Sequence, residues 1–356
     1  MLKSLKIENF RCFQMFELQQ LGKLNLLVGT NNSGKTSILE AVQLLDSQSN
    51  LESLREVMIG RGEYILSDER GIGRELDVRH LFYGHEIDEG SKFSILGNNH
   101  NGGEGITVSV KHSEQLSLFE DLREFVLVIE WLGQESKRLQ LPLSSKEGLP
   151  LDYVRRVRRD LKNLGSRTQF VTSSSLTSEK MIELFDQVVL TPEEYLVTEA
   201  LQTIEPSIDR IASVGSEKNR FTGSRSGFVV RLTDGDQRIP IGSMGDGIWR
   251  MLGLTLAIVN ARNGVLLVDE IDTGLHFSAM SDMWKLIWET AKRLNVQVFA
   301  TTHNSDCWTS LAAIANNDSP SEEGITIQRI EKSKPNSIVF TERQVVIAAE
   351  QGIEVR

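Results

Sequence analysis

Cysteine is scarce in this chain: among 356 residues only Cys12 and Cys307 carry a thiol, far apart and outside any CxxC spacing. That excludes a disulfide framework and a cysteine-based zinc site, and it suits a reducing cytosol. No stretch of roughly 18 apolar residues appears, and the opening MLKSLKIENFRCF lacks the apolar run of a signal peptide. A soluble, cytoplasmic chain with no membrane partner is therefore expected. Basic residues are outnumbered, 39 Lys and Arg against 49 Asp and Glu. This excludes a uniformly basic surface that coats nucleic acid, while leaving room for a local patch that grips phosphates. Repeats and low-complexity tracts are also missing. What remains is a chain 40% hydrophobic, enough for the core of one large domain or two of ordinary size.

The apolar residues fall into recognisable periods. Leu2, Leu5 and Ile7 lead in strand fashion to Phe10, and Phe13 to Leu21 is a returning hairpin partner. A short apolar strand, Leu24 to Val28, comes next, followed by a segment with Ile38, Val42 and Leu45 at helical spacing. From Leu51 to Gly105 only Lys92 to Leu96 reads as a strand. Residues 106–111, 124–131 and 138–141 form an expected antiparallel meander. Residues 146–205 read as a helical insertion, with a helix near Glu193 to Ile204. Its Arg155, Arg156, Arg158 and Arg159 fit either a DNA or partner contact or a solvated helix face paired with Asp152 and Asp160. Residues 227–232 read as a strand, and Ile248 to Val259 as a helix.

Between the strand at Leu24 and the helix with Ile38 lies Gly29-Thr-Asn-Asn-Ser-Gly34-Lys35-Thr36, a full match to G-x-x-x-x-G-K-[ST]. Its glycines let main-chain N–H groups of Gly29, Asn31, Asn32, Ser33, Gly34 and Ser37 approach phosphate oxygens, and the helix that follows aims its positive end at them. Lys35 adds a charge where β and γ oxygens crowd, and Thr36 offers a hydroxyl to Mg²⁺. ATP with Mg²⁺ is the expected ligand.

A second apolar strand, Gly264 to Val268, ends in Asp269 and Glu270. Ligands bind at the carboxyl ends of such strands, so Asp269 is expected to hold Mg²⁺ through its hydration shell and Glu270 to act as general base on water. A third strand, Val296 to Ala300, ends in Thr301-Thr302-His303, placing His303 to reach the γ-phosphate or the attacking water. His276 either reaches the same site or caps the next helix. Ser243-Met-Gly245-Asp-Gly247 precedes a helix and is either an ordinary glycine-rich start or a second anion-binding end.

GTNNSGKT, SMGDG, VLLVDEIDTGLH and ATTH stand in the order found in ABC-type ATPases, and with KIENFRCF at the start the chain resembles the SMC/RecF branch, more narrowly the ATPase half of the OLD (overcoming lysogenization defect) family. The resemblance covers residues 1–45 and 205–356 well and the middle loosely. It implies an α/β P-loop NTPase fold: an ABC-type ATPase head with an antiparallel β subdomain, discontinuous over 1–145 and 206–356, and a helical subdomain inserted at 146–205. It further implies a homodimer or higher homo-oligomer closed around two ATP molecules. Ser243 and Gly245 would touch the γ-phosphate across the dimer, Asp272 would be the D-loop aspartate, His303 the switch histidine, and Arg11 would approach the nucleotide. SMGDG departs from the LSGGQ of transporters, and no Q-loop glutamine is evident. OLD proteins carry a Toprim nuclease after the ATPase, whereas only the segment to Arg356 follows His303 here. The expectation is thus an ATP-hydrolysing module in DNA metabolism or antiphage defence, with a separate nuclease or toxin as effector. The alternatives are an ATP-gated regulatory scaffold and, less in keeping with the insertion and the departure from LSGGQ, a transporter nucleotide-binding subunit.

Overall fold

Alternation of apolar residues makes Leu2–Phe10 (β1) a strand with Leu5 and Ile7 fully buried, and Phe13–Leu18 (β2) folds back on it with Ile7 opposite Phe16 and Phe10 opposite Phe13. The structure, a computed structural model, describes residues 1–47, 51–66, 74–99, 102–112, 125–133, 136–144, 146–151, 154, 167–214, 225, 227–235, 237–317 and 324–355. The chain divides into two units. One holds Met1–Leu21, Asn32–Ser166 and Ile330–Ser337; the other holds Gly22–Asn31, Arg167–Arg329 and Ile338–Arg356.

The first unit is built on antiparallel pairing. Besides β1 and β2 it contains α1 (Lys35–Asp46), α2 (Leu51–Gly60), β4 (Tyr64–Leu66), β5 (Arg74–Asp77), β6 (Lys92–Asn99), β7 (Gly102–His112), β8 (Phe125–Leu132), β9 (Lys137–Pro142) and β10 (Gly148–Pro150). Six strands form one sheet in the order β2-β1-β6-β7-β8-β9, and β10-β5-β4 form a second. The expected meander is β7-β8-β9, each pair antiparallel. The amphipathic helix α1 lies against β6 and β7, so Leu44 and Leu45 are buried with Phe93 and Val108 in the core of this unit.

The second unit is centred on a parallel sheet. Its strands are β3 (Leu24–Val28), β11 (Gln169–Val171), β15 (Val265–Val268), β16 (Gln297–Thr301), β17 (Ile325–Arg329) and β18 (Ile338–Thr341), in the order β11-β15-β16-β3-β17-β18. All neighbours run parallel except β17 and β18. The near-continuous apolar runs LNLLV, VLLV and QVFAT suit strands covered on both faces. Asn25, fully buried in β3, uses all its hydrogen-bonding capacity. Its Nδ2 donates to Gly22 O at 2.8 Å and to Val298 O at 3.2 Å, and its Oδ1 accepts from Gly22 N at 2.8 Å and Thr326 Oγ1 at 2.9 Å.

Around that sheet lie α3 (Ser178–Val188), α4 (Glu194–Gln202), α5 (Asp246–Asn260), α6 (Phe277–Leu294), α7 (Ser305–Asn317) and α8 (Glu342–Glu350), with a small antiparallel sheet β12 (Ile208–Ser213), β13 (Phe228–Leu232) and β14 (Arg238–Pro240). Helix α5 is buried almost all round, and it packs on α3, α4, α6 and β11 as a core helix does. Within 146–205, α3 and α4 are helical, while β10 and β11 are strands and β11 extends the parallel sheet. Arg155, Arg156, Arg158 and Arg159 lie outside the described residues.

Candidate nucleotide-binding site

The glycine loop begins where β3 ends. Gly29 has φ 142°, Asn32 φ 57° and Gly34 φ 100°, and the positive value at Gly34 is one that L side chains rarely adopt. A Cβ on Gly34 would also fall 2.3 Å from Phe13 Cζ and 2.8 Å from Cys12 Sγ. The helix therefore starts with its main chain unscreened at Gly34, and Lys35, the first residue of α1, is 5% exposed. The buried hydroxyl of Ser33 has no hydrogen-bond partner. An orphaned donor beside a positive helix end fits a phosphate oxygen.

One turn into α1, Glu40 anchors a buried charge network in the first unit. Arg11 Nε donates to Glu40 Oε2 at 3.1 Å, and Arg11 Nη1 donates to His80 O at 3.0 Å and to Glu63 Oε1. Arg61 Nε binds the other Glu40 oxygen, and its Nη2 donates to Ser37 Oγ at 3.3 Å. Burial pushes the Glu40 carboxyl up against the opposing pull of Arg11 and Arg61. The guanidinium of Arg11, expected near the nucleotide, is thus engaged by carboxylates, and Ser37 takes part in the same network.

The parallel sheet places the carboxyl ends of β3, β16 and β15 side by side, so the exits to Gly29, to Thr302-His303 and to Asp269-Glu270 share one edge. There, Thr301 Oγ1 donates to Asp269 Oδ1 at 2.7 Å and accepts the Glu270 amide at 2.8 Å. Glu270 stands at φ 48°, a left-handed conformation rare for a glutamate. Its Oε2 accepts from Thr273 Oγ1 at 3.2 Å. Asp272 Oδ1 accepts from Thr302 Oγ1 at 2.7 Å. His303 is half-buried just past β16. His276 caps α6, its Nδ1 accepting the Ser278 amide at 3.4 Å.

Ser243 lies in a short 3₁₀ turn, Ile241–Met244, and Gly245, at φ 93°, is the N-cap of α5. Both are exposed, and nothing lies within 4 Å of a Cβ built on Gly245. Asp246 is paired with Arg225. The start of α5 touches the acidic turn, since a Cβ on Gly247 would meet Gly274 O at 3.4 Å.

The residue that sequence reasoning missed is Arg250, whose guanidinium donates to main-chain carbonyls of Thr172, Asp269 and Glu270. The available signal was a lone cation inside the apolar run IWRMLGLTLAIV, which has to find partners when buried. Among the described residues no group of three His, Cys, Asp or Glu is arranged to hold a metal. No helix among the described residues is long and apolar enough to cross a membrane.

Residues 24–306 match the family model described as "AAA domain, putative AbiEii toxin, Type IV TA system". An ATP/GTP phosphatase of Helicobacter pylori is 23% identical over 338 residues, 86% of each chain. An OLD nuclease of Thermus scotoductus is 46% identical over 57 residues, 15% of this chain and 11% of that one. The crystal structure of an Smc head bound to the C-winged helix domain of ScpA superposes with a TM-score of 0.51 at 12% identity, covering 96% of this chain and 97% of that one, which is a likeness of fold. The relatives support nucleotide hydrolysis in general terms and connect the chain with DNA-related proteins. The chain belongs to this AAA-domain family, and its fold is that of an ABC-type P-loop ATPase head of the SMC/RecF/OLD group.

Proposed function

We propose that this chain is an ATP-hydrolysing module that dimerises around two nucleotides, each held between the phosphate loop of one copy and the Ser243–Gly247 segment of the other. The observation that carries the reading is the Asp269-Glu270 pair at the end of β15, fixed by Thr301 in the same sheet whose β3 leads into the phosphate loop. Lys35 neutralises the β and γ oxygens, while the main chain of Gly29 to Ser37 donates to them. Thr36 and Asp269 are the chain's ligands for Mg²⁺, which supplies charge neutralisation on the phosphates when bound. Glu270 takes the proton of the attacking water, and His303 orients that water or the γ-phosphate. Asp272, tethered by Thr302, links the two sites. The exposure of Ser243 and Gly245 supports their role in trans.

The role we assign to the module is in antiphage defence or DNA metabolism, in the cytoplasm; the toxin system in the description of the family and the nuclease in that of the OLD relative support it. The nuclease or toxin activity then belongs to a separate effector protein. The test is molar mass by light scattering of Glu270→Gln with and without Mg-ATP, beside ATP turnover of the unmutated protein. A doubling with Mg-ATP and measurable turnover, both lost in Lys35→Ala, is the expected result. An unchanged mass with no turnover sinks the proposal.

A further inference from the structure

Arg250 lies on the second turn of α5, 3% exposed, with both Nη groups directed at main chain rather than at a carboxylate and the buried Nε without a hydrogen-bond partner. Nη1 donates to Thr172 O at 2.5 Å, just past β11, and Nη2 donates to Asp269 O and Glu270 O at 2.9 Å each, just past β15. These carbonyls belong to residues leaving the sheet, where ladder partners run out. Burial pulls the Arg250 pKa down to about 10, while the carboxylates of Asp272, Asp269 and Glu270 oppose that shift, so the group is cationic at neutral pH. A planar fork serves three acceptors on two strand ends; a lysine ammonium on a flexible stem does not reproduce that geometry.

Two further observations give this clamp a purpose. The main chain of Glu270 sits in a left-handed conformation, held from one side by the Thr301 hydroxyl on its amide and from the other by Arg250 on its carbonyl. A strained conformation of this kind persists only where the surroundings over-determine it. In addition, α5 begins with the Ser243–Gly247 segment and approaches the acidic turn a second time at Gly247 and Gly274. The helix and the acidic turn are therefore joined at two points.

We infer that Arg250 is a positioning residue: it holds the main chain of Glu270 in its left-handed conformation and makes the orientation of the Glu270 carboxylate follow the helix that begins with Ser243–Gly247. This rests on the ATPase reading above and deepens it. In a dimer of the proposed kind, that helix reads the nucleotide of one site while Glu270 serves the other, so Arg250 is the link between them within one chain.

The experiment compares Arg250→Lys, Arg250→Gln, Glu270→Gln and the Arg250→Lys/Glu270→Gln double variant in steady-state ATP hydrolysis, with binding of a fluorescent ATP analogue and thermal melting as controls. Arg250→Lys is expected to bind the analogue within about twofold of the unmutated protein and to lose on the order of 100-fold in kcat with KM unchanged, the scale of a misplaced catalytic group. The double variant is expected to be no slower than Glu270→Gln alone, because the arginine acts through Glu270. A kcat at the unmutated level in Arg250→Lys overturns the inference, as does a further loss in the double variant. Parallel loss of analogue binding in both Arg250 variants marks a merely structural residue and overturns it as well. No hydrolysis by the unmutated protein, by contrast, removes the ATPase reading itself, and normal hydrolysis by Glu270→Gln removes the general-base role, whatever Arg250 does.

Discussion

Thr301, the last residue of β16, and Asp269, just past the adjacent parallel strand β15, are joined with Oγ1 2.7 Å from Oδ1, and the same hydroxyl receives the Glu270 amide at 2.8 Å. One small side chain thus fixes both acidic positions. Thr301→Val keeps the shape and removes the hydroxyl, leaving a half-buried amide and a carboxylate oxygen without that partner. Denaturant unfolding is expected to show a loss of about 1–3 kcal/mol, accompanied by a lower kcat. Thr301→Ser, which retains the hydroxyl, is expected to recover most of both.

Gly34→Ala tests the phosphate loop. The added methyl meets Phe13 and Cys12 at distances no side chain tolerates, and the φ of 100° disfavours alanine independently. Strain of about 1–3 kcal/mol is expected, relieved by moving the loop. Calorimetric titration with ATP then shows an affinity reduced by roughly tenfold or more, since 1.4 kcal/mol is one decade.

Arg11→Ala separates the buried charge network from nucleotide contact. Both Arg11 and Glu40 are 3% exposed, so removing the cation breaks a buried pair and leaves the Glu40 carboxylate to the more exposed Arg61. The expected cost is about 3–5 kcal/mol in urea unfolding. Arg11→Ala/Glu40→Ala should recover part of it. If Arg11 instead served the nucleotide directly, ATP affinity would collapse in the double variant while stability returned.

Cys307 gives a pH test with a definite sign. Burial pushes its thiol up to about 12 from an ordinary value of 9.0. Above about pH 9 the unfolded chain releases this proton while the folded chain keeps it, so the group's stabilising contribution is full below that value and declines until about pH 12. The stability difference between the unmutated protein and Cys307→Ala is therefore expected to shrink by about 1.4 kcal/mol between about pH 8 and pH 10. At the lower pH a disulfide reagent should label exposed Cys12 and leave Cys307 untouched.

The sequence made some parts of this molecule legible because their signals are local. The hairpin Leu2–Leu18, the β3–loop–α1 unit, the meander and the end of β15 each declare themselves through a period or a motif within a dozen residues. Where the determinant is distant, the chain is silent. Strand β17 carries buried Thr326 and Gln328 and looks unlike a core strand until Thr326 is seen bonded to Asn25, 301 positions away. Gln169–Val171 is three residues long and gains its strand identity from β15. Arg250 escaped because its acceptors are carbonyls, which every residue possesses and none advertises. Nor does any pattern of side chains reveal that Glu270 stands at positive φ.

The position of β3 in its sheet also sets a timetable. Asn25 and the carbonyl of Val298 that it binds are 273 positions apart, and the other neighbour, β17, comes later still. The strand leading into the phosphate loop therefore leaves the ribosome long before both strands that flank it. At roughly 5–20 residues per second it waits roughly 15 to 60 s for both. Throughout that interval its apolar residues need shelter, and a nascent chain cannot complete the candidate site before β16 and β17 have been made.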